Sequence, residues 1–105
     1  MTTEYKVVFT PQSQEQLELL YDYISDQSGE DRAEDFVGGI IAECLSLRSF
    51  PERGTKRDDI RPNLRTMGYE RRVTIAFSVH PEERMVAVHG VFYGGRNFEH
   101  ILRDD

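Results

Sequence analysis

The chain has 105 residues, 38% of them hydrophobic, with one cysteine and no tryptophan, a length that suits one domain spanning residues 1–105 rather than two. A single cysteine excludes an internal disulfide framework and a multi-cysteine zinc site, and no apolar run approaches the roughly 20 residues that a membrane-spanning helix needs. The formal charge of −6, from 13 Lys and Arg against 19 Asp and Glu, argues against a polyanion as the partner, because phosphate binding rests on Lys and Arg.

That total hides two unlike halves. Residues 1–47 carry two basic and ten acidic side chains, a net of −8, and residues 48–105 carry eleven basic and nine acidic, a net of +2. Within 48–72 eight basic residues face four acidic ones, a local +4. Eleven of the thirteen cations are arginine, whose planar fork suits carboxylate and phosphate groups. The N-terminal stretch MTTEYKVVF is acidic-polar and too short for a secretory signal, so a reduced cytoplasmic protein is expected.

In chain order, residues 4–9 read as a short strand with Val7 and Phe9 on one face. Thr10-Pro11 reads as the N-cap and first position of a helix, since proline lacks an N–H that a first turn leaves unpaired anyway. This helix extends to about Gln27 with Leu17, Leu20, Tyr21 and Ile24 in one stripe, which Leu19 and Tyr23 widen. Ser28-Gly29 marks a tight joint, with Ser28 as the cap of a second helix that runs to about Ser49. Its apolar face comprises Ala33, Phe36, Val37, Ile40, Ile41, Cys44, Leu45 and Leu47. Gly38-Gly39 in mid-helix costs about 1 kcal/mol per glycine relative to alanine, which implies close approach of another backbone there.

Phe50-Pro51 ends the helix, and PERGTKRDDIRP forms a polar loop. Three strands follow, at Asn63–Met67, Arg72–Val79 and Arg84–Tyr93, with turns at Gly68-Tyr69-Glu70 and at His80–Glu83. Alternation places Val73, Ile75, Phe77 and Val79 on one face of the middle strand. In the last strand it places Val86, Val88 and Phe92 on one face, with Met85, Ala87, Val91 and Tyr93 on the other. Gly94-Gly95 breaks this strand, and Asn97 caps a short C-terminal helix reaching about Leu102. The expected architecture is α+β in the order β-α-α-β-β-β, a helical hairpin on a mainly antiparallel four-stranded sheet.

Few residues offer chemistry. Cys44 lies in an apolar stripe and reads as core. His80, His89 and His100 lack a metal-ligand spacing such as HxxxH, and no phosphate loop, nucleophile elbow or dinucleotide fingerprint is present, so no metal or cofactor is expected. The arginines remain. Arg61, Arg65, Arg71 and Arg72 cluster at the loop end and on the first two strands of the meander, and Arg96 follows the last strand, so a sheet can gather them into an anion-facing surface. Ion pairing with the acidic helices is the alternative role.

The segments YKVVFTPQSQEQLELLYDYI, FPERG, RPNLRTMGYERRVTIAFSV and VAVHGVFYGGRNFEHIL, in this order and spacing, resemble the ParE/RelE superfamily of bacterial type II toxins over nearly the whole chain. The resemblance implies a toxin neutralised by a cognate ParD-like antitoxin, a largely disordered segment of which folds on the toxin. It implies either of two activities. RelE-like members cut mRNA on the ribosome with basic side chains and an acid or base near the C-terminus; here Arg65 and Arg96 match the basic positions, but Leu102 stands where an aromatic is expected. ParE-like members bind DNA gyrase and block replication. With Lys56 diluted by Asp58 and Asp59, and with the charge of −6, the ParE branch is the expected one, acting by binding without catalysis, with no membrane contact and no sequence-specific DNA binding by the toxin alone. The expected contact residues for target or antitoxin are Arg61, Arg65, Arg72, Arg96, Leu19 and Tyr23.

Overall fold

Two hydrophobic periods, 3.6 in the first half of the chain and 2 in the second, decide which faces must meet. In the computed structural model, which describes residues 4–94 and residue 102, the order is β1 (Lys6–Phe9), α1 (Pro11–Ser28), α2 (Glu30–Leu45), a 3-10 turn (Ser46–Arg48), β2 (Thr55–Lys56), β3 (Leu64–Tyr69), β4 (Val73–His80) and β5 (Met85–Tyr93). The strands form one sheet in the order β1-β5-β4-β3-β2, with β1 parallel to β5 and every other pair antiparallel.

The helical hairpin covers one face of the sheet. Leu17, Leu20 and Ile24 of α1 and Ala33, Val37, Ile40 and Cys44 of α2 pack with Met67, Val73, Ile75, Phe77, Val79, Val86, Val88 and Val91. Burying such side chains fully is worth about 1.5–3 kcal/mol each for the larger ones, so this layer supplies most of the favourable folding energy. The opposite face carries a smaller cluster of Ile60, Leu64, Ala76, Phe92 and Leu102.

Local chemistry sets the helix ends. The Thr10 Oγ1 accepts from the Ser13 N–H at 3.2 Å, and Pro11 occupies the first helical turn as expected. Ser28 is the last residue of α1, not a cap of α2. Gly29, at φ 96°, is the joint itself, a conformation that disfavours any side chain. Glu30 and Asp31 place negative charge in the first turn of α2 in the absence of a side-chain cap. The second helix stops at Leu45, and the residues expected to continue it, Ser46–Arg48, tighten into the 3-10 turn.

The sheet has five strands where four were expected. Thr55-Lys56 lies within the polar loop and pairs with Thr66 and Arg65 of β3. Both of its residues are exposed, so it leaves no alternating apolar signature. Gly68 and Tyr69 belong to β3, and the β3–β4 turn lies at Glu70–Arg72; His80 likewise belongs to β4. A register shift in the β4–β5 ladder pairs Phe77 with Val88 but Ala76 with Gly90, leaving His89 as an extra residue in β5. The alternation expected for β5 therefore fails beyond it. Val91 joins the helix-side core, while Phe92 joins the opposite cluster. Of the expected C-terminal helix only Leu102 is described; it is helical and buried. Gly95, Arg96, Asn97 and His100 lie outside the described residues.

The glycine pair of α2 separates into two roles. A Cβ on Gly38 would meet nothing, whereas one on Gly39 would collide with the Tyr69 hydroxyl, so a side chain, not a backbone, makes the close approach. Gly38→Ala is therefore expected to stabilise the protein by about 0.5–1 kcal/mol, and Gly39→Ala to lower stability by displacing Tyr69. Urea midpoints of the two variants, moving in opposite directions from wild type, check the distinction.

Candidate functional site

Where β1 ends, β5 continues, and the helix-side edge of the sheet opens. β1 pairs only with Met85–Val88. Past that point the backbone of β5 is satisfied by α1 and its cap. The Thr10 N–H donates to the Val88 carbonyl at 3.0 Å, and the Val91 N–H donates to Gln16 Oε1 at 2.7 Å. Thr10 Oγ1 lies 3.4 Å from the His89 carbonyl. These bonds hold α1 against the end of β5 and leave its outer face uncovered. Leu19 is 61% exposed and Tyr23 52%.

Two recesses meet there, with Tyr23 and Tyr93 as their shared wall. The smaller, about 270 Å³, is lined by Gln16, Leu19, Leu20 and Val91 in addition. The larger, about 630 Å³, lies between the joined ends of the helices and the β3–β4 turn, with Phe36 and Tyr69 on its walls and Arg32, Asp35, Glu70 and Arg72 around it. The aromatic rings brace one another: the Tyr23 and Tyr93 centroids are 5.8 Å apart, Phe36 meets Tyr69 edge-on at 5.7 Å, and Phe36 meets Tyr93 edge-on at 6.2 Å. Burial, with Glu70 and Glu43 nearby, raises the Tyr69 phenol above its ordinary value, so it stays protonated at neutral pH.

The turn beside the larger recess is strained. Glu70 and Arg71 both have positive φ, 49° and 62°, and the Arg72 N–H donates to the Tyr69 carbonyl at 3.2 Å. Two central residues of this kind define a type I′ hairpin turn, for which Asn-Gly is the favoured sequence. A non-glycine residue in this region costs roughly 1–2 kcal/mol, and the turn keeps Glu-Arg in spite of it.

The arginines of the sheet do not converge. Arg72 lines the aromatic recess and is exposed. Arg65 shares a parity with Met67 and Phe77; its Nη1 donates to the Arg53 carbonyl at 3.1 Å, and it lines a separate recess of about 200 Å³ with Lys56, its cross-strand partner. Arg61 goes to the opposite layer, where its Nε donates to the Leu102 carbonyl at 3.3 Å. Arg96 lies outside the described residues. Pairing with the acidic helices does occur, but through Arg53, whose Nη2 contacts the Glu43 carboxylate at 2.6 Å; Arg57 pairs with Asp59 in its own loop. Among the described residues neither Arg65 nor Arg72 forms an ion pair.

Other chemistry is sparse among the described residues. Cys44 is fully buried and its thiol is pushed up to about 12 by desolvation and then by Glu43, so it has no nucleophilic thiolate at neutral pH. No helix of the described residues is long and apolar enough to cross a membrane. Leu102 is a core residue, 1% exposed. Sequence reasoning found Leu19, Tyr23 and Arg72 of this surface but missed Phe36, Tyr69 and Tyr93 as its other walls. Helical spacing assigns Phe36 to the core, Gly68 drew the expected turn two residues early, and only the bulge explains the aspect of Tyr93.

Comparison with known proteins bears on the fold and the family. No curated protein matches the chain. Among solved structures it is similar to a protein of the chromosomal ParDE toxin–antitoxin system from P. aeruginosa, at a TM-score of 0.74 and 19% identity, covering 89% of this chain and 99% of the other. It is also similar to a chain of the RelBE2 toxin–antitoxin complex from Mycobacterium tuberculosis, at a TM-score of 0.64 and 15% identity, covering 91% and 98%. At these identities the two likenesses speak for the fold. The family model for the ParE toxin of type II toxin–antitoxin systems, parDE, matches residues 7–98, and the chain therefore belongs to the ParE toxin family.

Proposed function

We propose that this protein is the toxin of a type II pair, that it inhibits DNA gyrase and so replication by direct binding in the cytoplasm, and that a ParD-like antitoxin neutralises it. The observation that carries the binding mode is the aromatic groove. Leu19 and Tyr23 are large apolar side chains left in solvent beside Tyr93, Phe36 and Tyr69, and an uncovered surface of that kind marks a protein contact. The groove runs past basic and acidic side chains at its far end, Arg32 and Arg72 with Asp35 and Glu70, which suits an amphipathic segment that orders on binding. The family match and the likeness to a ParDE protein support the same reading.

A second reading, a ribosome-dependent mRNA endonuclease, is favoured by Lys56 and Arg65. They stand directly opposite each other across β2 and β3 and line one recess, although like charges in that position cost stability. The likeness to a RelBE2 chain is compatible with it. Against it stand Leu102, which moves no proton, and the separation of Arg61 and Arg72 from Arg65.

Purified protein is expected to inhibit gyrase supercoiling and to leave mRNA intact in a translating ribosome extract; site-specific mRNA cleavage with normal supercoiling would overturn the proposal. Arg65→Ala separates the readings further, because a nuclease should lose on the order of 10²–10³-fold in rate with a transition-state donor, while gyrase inhibition by a contact elsewhere is retained. Tyr23→Asp, at a half-exposed position, should leave the fold intact and weaken antitoxin capture by about 2 kcal/mol, roughly 30-fold. Isothermal titration with the cognate antitoxin measures it, and unchanged affinity removes the groove from the antitoxin interface.

A further inference from the structure

The face of the sheet opposite the hairpin holds a second arrangement that the toxin reading does not use. Ser78 of β4 is nearly buried, 5% exposed. Its Oγ lies 2.7 Å from the Nε2 of His80 and 2.7 Å from the Nε2 of His89. His80 is two residues along the same strand, hence on the same face. His89 is the extra residue of the β5 bulge, and bulges re-aim side chains in this way. Both histidines are half-buried, so water reaches the cluster.

We propose that His80 and His89, with Ser78 between them, bind a divalent first-row transition metal ion of the zinc and copper class. A hydroxyl owns one proton. With both rings neutral, one Nε2 accepts it and the other donates its own, so the two ring nitrogens are held within hydrogen-bond reach of a single point. Neutral imidazole nitrogen is the ligand these ions prefer among the side chains present. Metal–nitrogen bonds of roughly 2.0–2.1 Å draw the two nitrogens closer than two hydrogen bonds to a shared oxygen, a change that small rotations of half-buried rings supply. Both rings then take the tautomer with hydrogen on Nδ1, Ser78 Oγ offers a third donor atom, and water completes the shell. No bond to carbon forms or breaks, and the charge of the ion is unchanged.

Three or more His, Cys, Asp or Glu side chains do not gather anywhere among the described residues, so the ligands these residues supply are the two histidines and the serine hydroxyl. Its ligands come from adjacent strands at the bulge. A bound ion therefore clips β4 to β5 at the residue that sets the aspect of Val91 and Tyr93. The sequence hides it because the two histidines are nine positions apart and only the hairpin register and the extra residue bring them together.

The test uses the full chain and zinc chloride alone. Calorimetric titration should show one saturable site per chain, with the Cε1–H resonances of His80 and His89 shifting together and the thermal midpoint rising with zinc. His80→Gln and His89→Gln should each weaken binding by at least the roughly 10- to 100-fold that loss of an outer-shell partner costs, and Ser78→Ala should weaken it less. Absence of saturable binding by the folded wild type overturns the proposal. So does binding that survives both histidine replacements, or resonances that fail to shift.

Discussion

Between Val88 and Val91, β5 carries one residue more than β4 opposes, and the parity of every side chain beyond that point is reversed. The same stretch lies past the end of β1, where a regular edge would leave backbone groups unpaired. A buried N–H without a partner costs about 1–3 kcal/mol, and the chain meets that demand from the start of α1. The Thr10 N–H takes the Val88 carbonyl and the Gln16 side chain takes the Val91 N–H. The N-cap and the first two turns of helix thus replace a strand. With Gln16 fixed on Val91, Leu19 and Tyr23 follow one and two turns later along the same side of α1, beside Tyr93.

This constraint divides the protein into faces with different chemistry. On the hairpin side, the reversed parity sends Val91 into the core and brings Tyr93 into contact with Tyr23 and Phe36, which gives the groove an aromatic floor. On the other side it places Phe92 over Ala76 with Leu64 and Leu102, and it turns His89 toward Ser78. The charge asymmetry of the sequence is resolved locally. Arg53 reaches back to Glu43 on α2 and Arg57 to Asp59, while Arg65 and Arg72 serve different recesses on different parts of the sheet. No single basic surface forms from the described residues, and Leu19 and Tyr23 stay exposed beside the aromatic walls of the groove. That favours recognition of protein over recognition of a phosphate backbone.

Much of this was legible in the chain. The Thr10-Pro11 start, the α1 stripe of Leu17, Leu20 and Ile24, and the Val73–Val79 alternation follow from period and capping, and all appear as read. The exposure of Leu19 and Tyr23 follows from their place at the border of that stripe. What failed to show has physical causes. A two-residue strand of Thr and Lys pairs through its backbone alone. A bulge depends on pairing between strands and leaves no mark in one of them. Glu70-Arg71 adopts a turn that its side chains disfavour, because Tyr69 is held against Phe36 and Gly39 and so extends β3 past Gly68. The arginines looked like one cluster because sequence distance does not reveal which face of a sheet each residue takes.

Gln16 on α1 stands in for the missing strand partner of Val91, and this bond orders both the bulge and the groove. Amide hydrogen exchange at Val91, measured by NMR in the wild type and in Gln16→Ala, tests it most directly. Protection at Val91 approaching that of the neighbouring strand amides is expected in the wild type, lost selectively at this position in the variant. Exchange at Val91 as rapid as in an open edge in the wild type, or protection that survives removal of the Gln16 amide, would contradict it.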